Sequence, residues 1–125
     1  MPDFFKQCSK TAQLGQQGES AVVNLLEQRG YTILARNFRT KYGEVDVIAR
    51  HQEVIAFVEV KCRKNHYFAL SAVVTRSKQQ KIARAARIFI AQHSNILCSY
   101  RFDVALVEED FNVVYIEHAF TVDES

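Results

Sequence analysis

Two acidic residues and one lysine stand close together in two adjacent segments of the chain, in a pattern that could bind a metal ion. Asp46 lies in segment 43–50, and Glu59 and Lys61 lie in segment 55–62. Apolar and polar residues alternate with a period of two in both segments, which predicts two half-buried β-strands. Carboxylates that meet on one sheet face can reach a single hard cation. The pattern Asp–hairpin–Glu-x-Lys is therefore a candidate metal site.

The pairing of the two strands decides whether Asp46 and Glu59 can meet. Only four residues separate the strands, so a hairpin is the expected connection. The apolar residues that should share the core face are Val45, Val47 and Ala49 of the first strand and Val54, Ala56, Val58 and Val60 of the second. This requires an odd position to pair with an even one, as in His51 opposite Val54. Asp46 and Glu59 then share the other face, directly opposed at about 4.5–5.5 Å between Cβ atoms, or diagonal.

A solvated sheet face is the alternative explanation for these charges, because Glu-x-Lys is a common strand pattern. The strand that carries Glu59 is, however, apolar on both faces, which is typical of a strand inside a sheet. A charged pair at the end of such a strand is partly desolvated, and this is costly unless it is compensated. A metal ion and a phosphate would compensate it, which favours the functional interpretation.

Length and composition describe one ordinary globular domain. The chain has 125 residues, 48% hydrophobic and 24% charged, so we expect a single domain over 1–125 with residues 1–11 as a loosely ordered arm. The formal net charge of +2 permits a nucleic-acid partner without requiring one. Three cysteines without a Cys-x-x-Cys motif predict reduced thiols. With no signal peptide and no membrane-spanning segment in the sequence, we expect a cytoplasmic protein without a membrane partner.

The remaining periodicities predict the elements that must position the candidate residues. Apolar residues at helical spacing indicate two helices, and runs of branched and aromatic residues indicate three further strands. The order α-β-β-β-α-β-β predicts an α/β fold with a central mixed sheet flanked by helices, in which a parallel pairing would cross through the second helix. The predicted helices are 12–29 and 77–93, and the predicted strands are 31–38, 43–50, 55–62, 100–107 and 112–116.

The second predicted helix carries a basic face. No acidic residue lies between positions 76 and 93. A basic face without carboxylates between the cations is unusual for a merely solvated helix and suits a phosphate backbone. The candidate nucleic-acid-binding residues are Lys78, Lys81, Arg84 and Arg87.

Four other residues have two interpretations each. Glu19 lies at the margin of the apolar stripe of the first helix without an opposite charge three or four residues away, so it is either functional or a surface glutamate. Arg101 and Asp103 point to one strand face, as a structural ion pair or as part of the site. His66, in the predicted loop 64–75, is either a substrate contact or simply exposed.

Several of these segments resemble the YraN family of small bacterial predicted endonucleases, within the PD-(D/E)xK superfamily. The combination of Gly-Glu-Val-Asp with Phe-Val-Glu-Val-Lys-x-Arg is quite specific. The resemblance covers most of the chain. The matching segments are 15–21, 30–31, 36–39, 43–49, 57–63, 78–82 and 101–104.

The resemblance implies a restriction-endonuclease-like fold of the Holliday-junction-resolvase type and hydrolysis of DNA phosphodiesters. It implies that Asp46 and Glu59 bind Mg²⁺ or Mn²⁺ and that Lys61 polarises the attacking water. Glu19 is similar to the first-helix acid of the resolvase-like branch and completes the expected catalytic set, and Lys81 falls near a position where the superfamily often carries Gln or Lys.

The expected substrate is branched or flapped DNA, because a chain of this length has no room for a separate sequence-reading domain. Branched substrates offer paired phosphodiesters, which a homodimer would suit. Two other hypotheses remain open. The first is a nucleic-acid-binding module of the same fold without independent turnover. The second is an interaction protein in which Asp46, Glu59 and Lys61 form a surface charge cluster.

Overall fold

The order of secondary-structure elements confirms the predicted α/β fold. A computed structural model describes residues 12–62, 74–93 and 99–122. Their order is α-β-β-β-α-β-β, as predicted. The elements are α1 (Ala12–Gln28), β1 (Thr32–Thr40), β2 (Gly43–His51), β3 (Val54–Cys62), α2 (Arg76–Gln92), β4 (Ser99–Val107) and β5 (Val113–Phe120).

The five strands form one mixed sheet in the order β1-β2-β3-β4-β5. Three neighbouring pairs are antiparallel, and only β3 and β4 are parallel. The parallel pair is separated along the chain by α2, as the sequence predicted. β3 is the central strand, and its residues 55–58 are buried from both faces of the sheet. This position explains why β3 is apolar on both faces.

Within the described residues, one helix packs on each face of the sheet, and these faces are called the α1 face and the α2 face below. Phe57 of β3 lies on the α2 face, where its ring is edge-on to that of Phe89 with the centroids 6.1 Å apart. The buried cluster on the α2 face includes Val45, Ile48, Ile55, Phe57, Ile82, Ala86, Phe89 and Val104. The cluster on the α1 face includes Val22, Leu26, Val47, Ala49, Ala56, Val58, Ala105 and Val107.

The hairpin of β2 and β3 has the predicted register. The paired residues are His51–Val54, Arg50–Ile55, Ala49–Ala56, Ile48–Phe57 and Val47–Val58. The same register would place Asp46 opposite Glu59, but the ladder between β2 and β3 ends one pair earlier. β3 stays paired with β4 to the end of both strands. The two hairpin strands therefore separate at the position of Asp46.

The prediction that Val45 shares a face with Val47 and Ala49 is wrong. Val45 belongs to the α2-face cluster, and the other two belong to the α1-face cluster. The alternation is interrupted at Asp46, whose side chain accepts a hydrogen bond from the backbone N–H of Val60. Because the Val60 N–H is bonded to this side chain, it does not pair with the backbone of β2, and the regular β2–β3 ladder ends here.

Some sequence predictions concern residues that the structure does not describe. The predicted arm 1–11 and His66 lie outside the described residues. Cys62 is disulfide-bonded, so the prediction of three reduced thiols is wrong for this cysteine. The other cysteines, Cys8 and Cys98, also lie outside the described residues. Neither α1 nor α2 has the length and apolar character that a membrane crossing would need.

Candidate active site

Asp46 lies where both neighbouring strands depart from a regular ladder. Its Oδ2 accepts the Val60 N–H at 2.8 Å. On its other side, the pairs Arg36–Val47 and Phe38–Val45 leave Asn37 of β1 opposite Asp46, and Asn37 has a φ of 52°. Asparagine adopts this left-handed conformation more readily than most residues. The sheet is therefore irregular on both sides of Asp46, and Asp46 lies at the fork where β2 and β3 separate.

The carboxyl groups of Asp46 and Glu59 lie within hydrogen-bonding reach of each other. Glu59 is only 4% exposed, and the alternation of β3 places it on the same face as Phe57. Burial and then the negative charge of Glu59 raise the pKa of Asp46 well above its ordinary value, against the hydrogen bond from Val60. Two acids that are held together in this way favour a proton or a cation between them.

Lys78 brings a positive charge to this carboxyl pair. Its Nζ lies 2.5 Å from Oε1 of Glu59. Burial by itself would lower the pKa of Lys78, but the negative charges of Glu59 and Asp46 outweigh it, so the pKa is raised and the ammonium stays charged. Lys78 lies in the first turn of α2, which begins at Arg76 after the N-cap Thr75. The hydroxyl oxygen of Thr75 accepts the backbone N–H of Lys78 at 3.3 Å and so holds this turn in place.

The contact between Lys78 and Glu59 was not predicted from the sequence, which placed Lys78 among the nucleic-acid contacts. Lys61 is two residues beyond Glu59 on β3 and so projects from the same face. In the part of the chain that the structure describes, however, the ammonium that touches Glu59 is that of Lys78. One signal could have identified it. Lys78 is in the first turn of the helix that follows β3, and this helix must pack back over the sheet.

Glu19 of α1 is electrostatically linked to Asp46 and is not a simple surface residue. Its side chain is only 13% exposed, and the amide of Asn37 donates to its Oε2 at 3.0 Å. Burial raises the pKa of Glu19, the hydrogen bond from Asn37 opposes the rise, and the negative charge of Asp46 adds to it. Arg36 Nη2 lies 3.8 Å from the same carboxylate. The first helix thus brings a third acid towards the fork.

The basic face of α2 is divided between the carboxyl pair and solvent. Lys78 is half-buried against Glu59. Lys81, Arg84 and Arg87 are exposed. These three side chains are available to a partner along the helix.

Asp103 is a second buried acid, and it has a complete set of donors within the chain. Its Oδ1 accepts Arg101 Nε at 2.8 Å and the His118 backbone N–H at 2.9 Å. Its Oδ2 accepts Arg101 Nη2 at 2.9 Å and the Tyr115 hydroxyl at 2.5 Å. Arg101 also donates to the hydroxyl oxygen of Tyr31 at 2.6 Å. Burial and the charge of Asp103 raise the pKa of Tyr115, which keeps its hydroxyl protonated.

The Asp103 network lies on the opposite face from Glu59. Asp103 pairs with Val58, whose side chain packs on the α1 face, and residues 105 and 107 of the same strand also pack there. Of the two alternatives from the sequence, the structure therefore supports a structural ion pair between Arg101 and Asp103.

The carboxyl pair could hold a divalent cation together with water and phosphate. Among the described residues, no three His, Cys, Asp or Glu side chains are grouped to hold a metal by themselves. Mg²⁺ sites in phosphoryl-transfer enzymes need less than this, because one or two carboxylates suffice when waters and substrate phosphates complete the octahedron. Asp46 and Glu59 offer oxygen donors of the type that Mg²⁺ and Mn²⁺ prefer. Their mutual repulsion is a reason for a cation to bind.

The fold and this site define a small α/β protein with an acidic pair at the fork of its central hairpin. The model of the uncharacterised protein family UPF0102 matches residues 18–107, and the chain belongs to that family. The resemblance to YraN is thereby confirmed at the level of the family. All candidate site residues lie within the matched region.

Relatives in this family cover most of the chain. A UPF0102 protein of Geotalea uraniireducens is 46% identical over 107 residues, which are 84% of each chain. One of Desulfosudis oleivorans is 41% identical over 110 residues, 86% of this chain and 89% of the relative. One of Saccharophagus degradans is 42% identical over 120 residues, 93% of this chain and 99% of the relative.

Proposed function

We propose that the protein is a metal-dependent DNA endonuclease of the PD-(D/E)xK superfamily that cuts branched or flapped DNA. The observation that supports this most is the contact between the carboxyl groups of Asp46 and Glu59 at the fork, with the Lys78 ammonium on Glu59. Facing acids in a partly buried site cost stability, and such arrangements cluster at functional sites. The pairing of an acid dyad with a lysine suits phosphodiester hydrolysis, in which negative charge builds up on the phosphate.

Asp46 and Glu59 would hold Mg²⁺ or Mn²⁺, which when bound neutralises charge on the phosphate and lowers the pKa of a coordinated water. The hydrogen bond from Val60 fixes the orientation of the Asp46 carboxylate, and Lys78 fixes that of Glu59. Lys61 would hold the attacking water or steady the charge on the phosphate. Glu19 would act beside Asp46, to which its charge is already coupled.

The exposed cations of α2 would hold the substrate. Lys81, Arg84 and Arg87 would contact phosphates without reading sequence, so the affinity should fall steeply with salt. We place this activity in the cytoplasm. A homodimer would suit a branched substrate, since two active sites could then act on two strands.

A nucleic-acid-binding protein of the same fold without independent turnover is the second candidate. The observation that favours it is the contact between Lys78 and Glu59, because an ammonium in this position can replace a cation in balancing the acids. The two candidates differ in whether bound DNA is cleaved when a metal ion is present.

The test uses the full chain with four-way junction, flapped and linear duplex DNA, in Mg²⁺, Mn²⁺ or EDTA. We expect cleavage of junction or flapped DNA only with metal. Asp46→Asn and Glu59→Gln should each lower the rate about a hundredfold or more, the usual size of losing one charge-stabilising group. Glu53→Gln is the matched control, because Glu53 is an exposed acid at the other end of the same hairpin.

The outcomes separate the candidates. Cleavage that needs metal and both acids supports the endonuclease. Binding of DNA without cleavage in any metal supports the second candidate. A chain that neither binds nor cuts any of the three DNAs would contradict both.

A further inference from the structure

A groove runs between the tip of the β1–β2 hairpin and the first turns of α2. Its volume is about 630 Å³, and it is lined by hairpin residues 39–44 and by helix residues that include Ser77, Lys78 and Lys81. The ammonium of Lys78 also contacts Glu59. The groove is therefore a neighbour of the carboxyl pair and shares one residue with it.

The charge of the groove suits an anion. Of the described residues, four basic side chains and one acidic side chain line it, and the acid, Glu44, is in an ion pair with Arg39 at 3.3 Å. This ion pair is exposed at both partners, so a phosphate can compete for Arg39. The other lining cations are Lys41, Lys78 and Lys81.

Tyr42 presents an aromatic ring at the rim of this groove. The residue is 57% exposed, more than the other large hydrophobic side chains at the described surface, and Lys41 Nζ lies 5.9 Å from its ring centroid. The backbone beneath the ring is fixed, because Thr40 Oγ1 accepts the N–H groups of Tyr42 and Gly43, each at 3.1 Å. Exposed rings beside cations are the usual stacking platforms for unpaired bases.

The tip of the β1–β2 hairpin packs directly against α2. A Cβ atom added to Gly43 would lie 2.1 Å from the carbonyl oxygen of Lys81, so only glycine permits this approach of the two backbones. Tyr42 and Lys81 are thereby held at opposite walls of one groove of fixed shape. A ligand would find this site already formed.

We propose that this groove binds a single-stranded segment of DNA, with an unpaired base stacked on Tyr42 and phosphates held by Lys41 and Lys81. The inference rests on the proposed function and deepens it, because it names the unpaired strand as the feature that selects the substrate. A base inside a duplex is covered on both faces by its neighbours and cannot stack on an external ring. Tyr42 therefore distinguishes flapped or open strands from continuous duplex.

The test compares binding of a labelled thymidine oligonucleotide, about 16 nucleotides long, with binding of a duplex of similar length. It uses the full chain in EDTA. Tyr42→Ala should weaken single-strand binding about fivefold to one-hundredfold, as expected for the loss of one stacked base. Tyr42→Phe is the matched control, since it keeps the ring and should bind like the wild type. Duplex affinity should stay unchanged in both variants.

The salt dependence gives a second measurement. Lys41→Gln should reduce the slope of log affinity against log salt by about 0.7 for the single strand, the value for one lost phosphate contact. Thermal melting of each variant shows that it is folded, and we expect no large change because both side chains are exposed.

Four results would overturn the inference. Tyr42→Ala could bind the single strand as tightly as the wild type, or it could lose duplex and single-strand affinity equally. The wild type could also bind and cut branched DNA without binding the single strand, in which case the proposed function stands and the groove has another role. Absence of binding to every DNA would remove the proposed function and this inference together.

Discussion

The sheet carries buried acids on both of its faces, and they differ in their partners. Asp103 and Glu59 are neighbours in the register of β3 and β4, because Asp103 pairs with Val58. On the α1 face, Asp103 accepts four hydrogen bonds from groups of its own chain. On the α2 face, Glu59 meets the carboxyl of Asp46 and the ammonium of Lys78. Both acids are almost fully buried.

Burial by itself therefore does not distinguish a structural acid from a functional one. The lone pairs of Asp103 are satisfied within the folded chain, so nothing further is needed to balance its charge. In the described part of the chain, Asp46 accepts one backbone N–H and Glu59 contacts the Lys78 ammonium, and the two carboxyl groups also face each other. We infer that the first site stabilises the fold and that the second gives up stability for function.

The largest expected effect is the loss of stability when the Asp103 carboxylate is removed. Asp103→Ala leaves Arg101 and Tyr115 without their acceptor, and breaking a buried ion pair in this way costs about 3–5 kcal/mol in the free energy of unfolding. Urea unfolding measures this loss. The matched control is Glu117→Ala, because Glu117 lies 3.8 Å from the same guanidinium but is 58% exposed. It should cost about 1 kcal/mol or less. Similar small losses in both variants would contradict a structural role for Asp103.

An intermediate effect is expected where the hairpin meets α2. In Gly43→Ala the new Cβ meets the Lys81 carbonyl, and relieving such a clash costs about 1–3 kcal/mol. Because Asp46 follows Gly43 by three residues, DNA cleavage should fall by more than the loss of folded protein explains. Gly30→Ala is the control, since its φ of 89° is strained for alanine but its nearest neighbours are His51 ring atoms at 3.4 Å. If both variants lose stability and neither loses cleavage, the hairpin does not position the site.

The smallest expected effect is a gain in stability and not a loss. Asp46→Asn removes the repulsion with Glu59 and lets the amide donate to it, so the metal-free protein at neutral pH should gain roughly 1–2 kcal/mol in the free energy of unfolding. The variant should at the same time lose cleavage and the rise in melting temperature that we expect Mg²⁺ to give the wild type. If this substitution instead destabilises the protein, the Asp46–Glu59 pair has a structural role like that of Asp103.

The same pair predicts a pH dependence of the metal-free protein. The pKa of Asp46 is raised in the folded state, so the folded chain binds more protons than the unfolded chain above about pH 4. The contribution of this group to the free energy of unfolding therefore falls as the pH rises from about 4 towards the folded-state pKa. Asp46→Asn should flatten this decline, and Glu44→Gln, which changes an exposed acid two residues away, should not.

The sequence by itself determined the fold class and the register of the central hairpin. The period-two alternation of β2 and β3 and the four residues between them fixed the parity of the pairing, and this parity brings Asp46 and Glu59 together. Such features are local, because a short hairpin leaves few ways to bury both apolar sets. The basic character of α2 could likewise be predicted, since it depends on composition along one helix.

Only the tertiary structure decided which groups meet across distant segments. Lys78 contacts Glu59 because α2 packs its first turn over the end of β3. The sequence indicates that this helix covers the sheet, but it does not show which side chain of the first turn reaches Glu59. Val45 changes face because the Asp46 carboxylate takes a backbone donor, which the alternation of residue types cannot show. Arg101 and Asp103 share a face in any strand, but the face itself depends on the pairing of β4 with β3. Local patterns fix periodicity and parity, whereas the partner of a buried charge is fixed by how helices and strands pack.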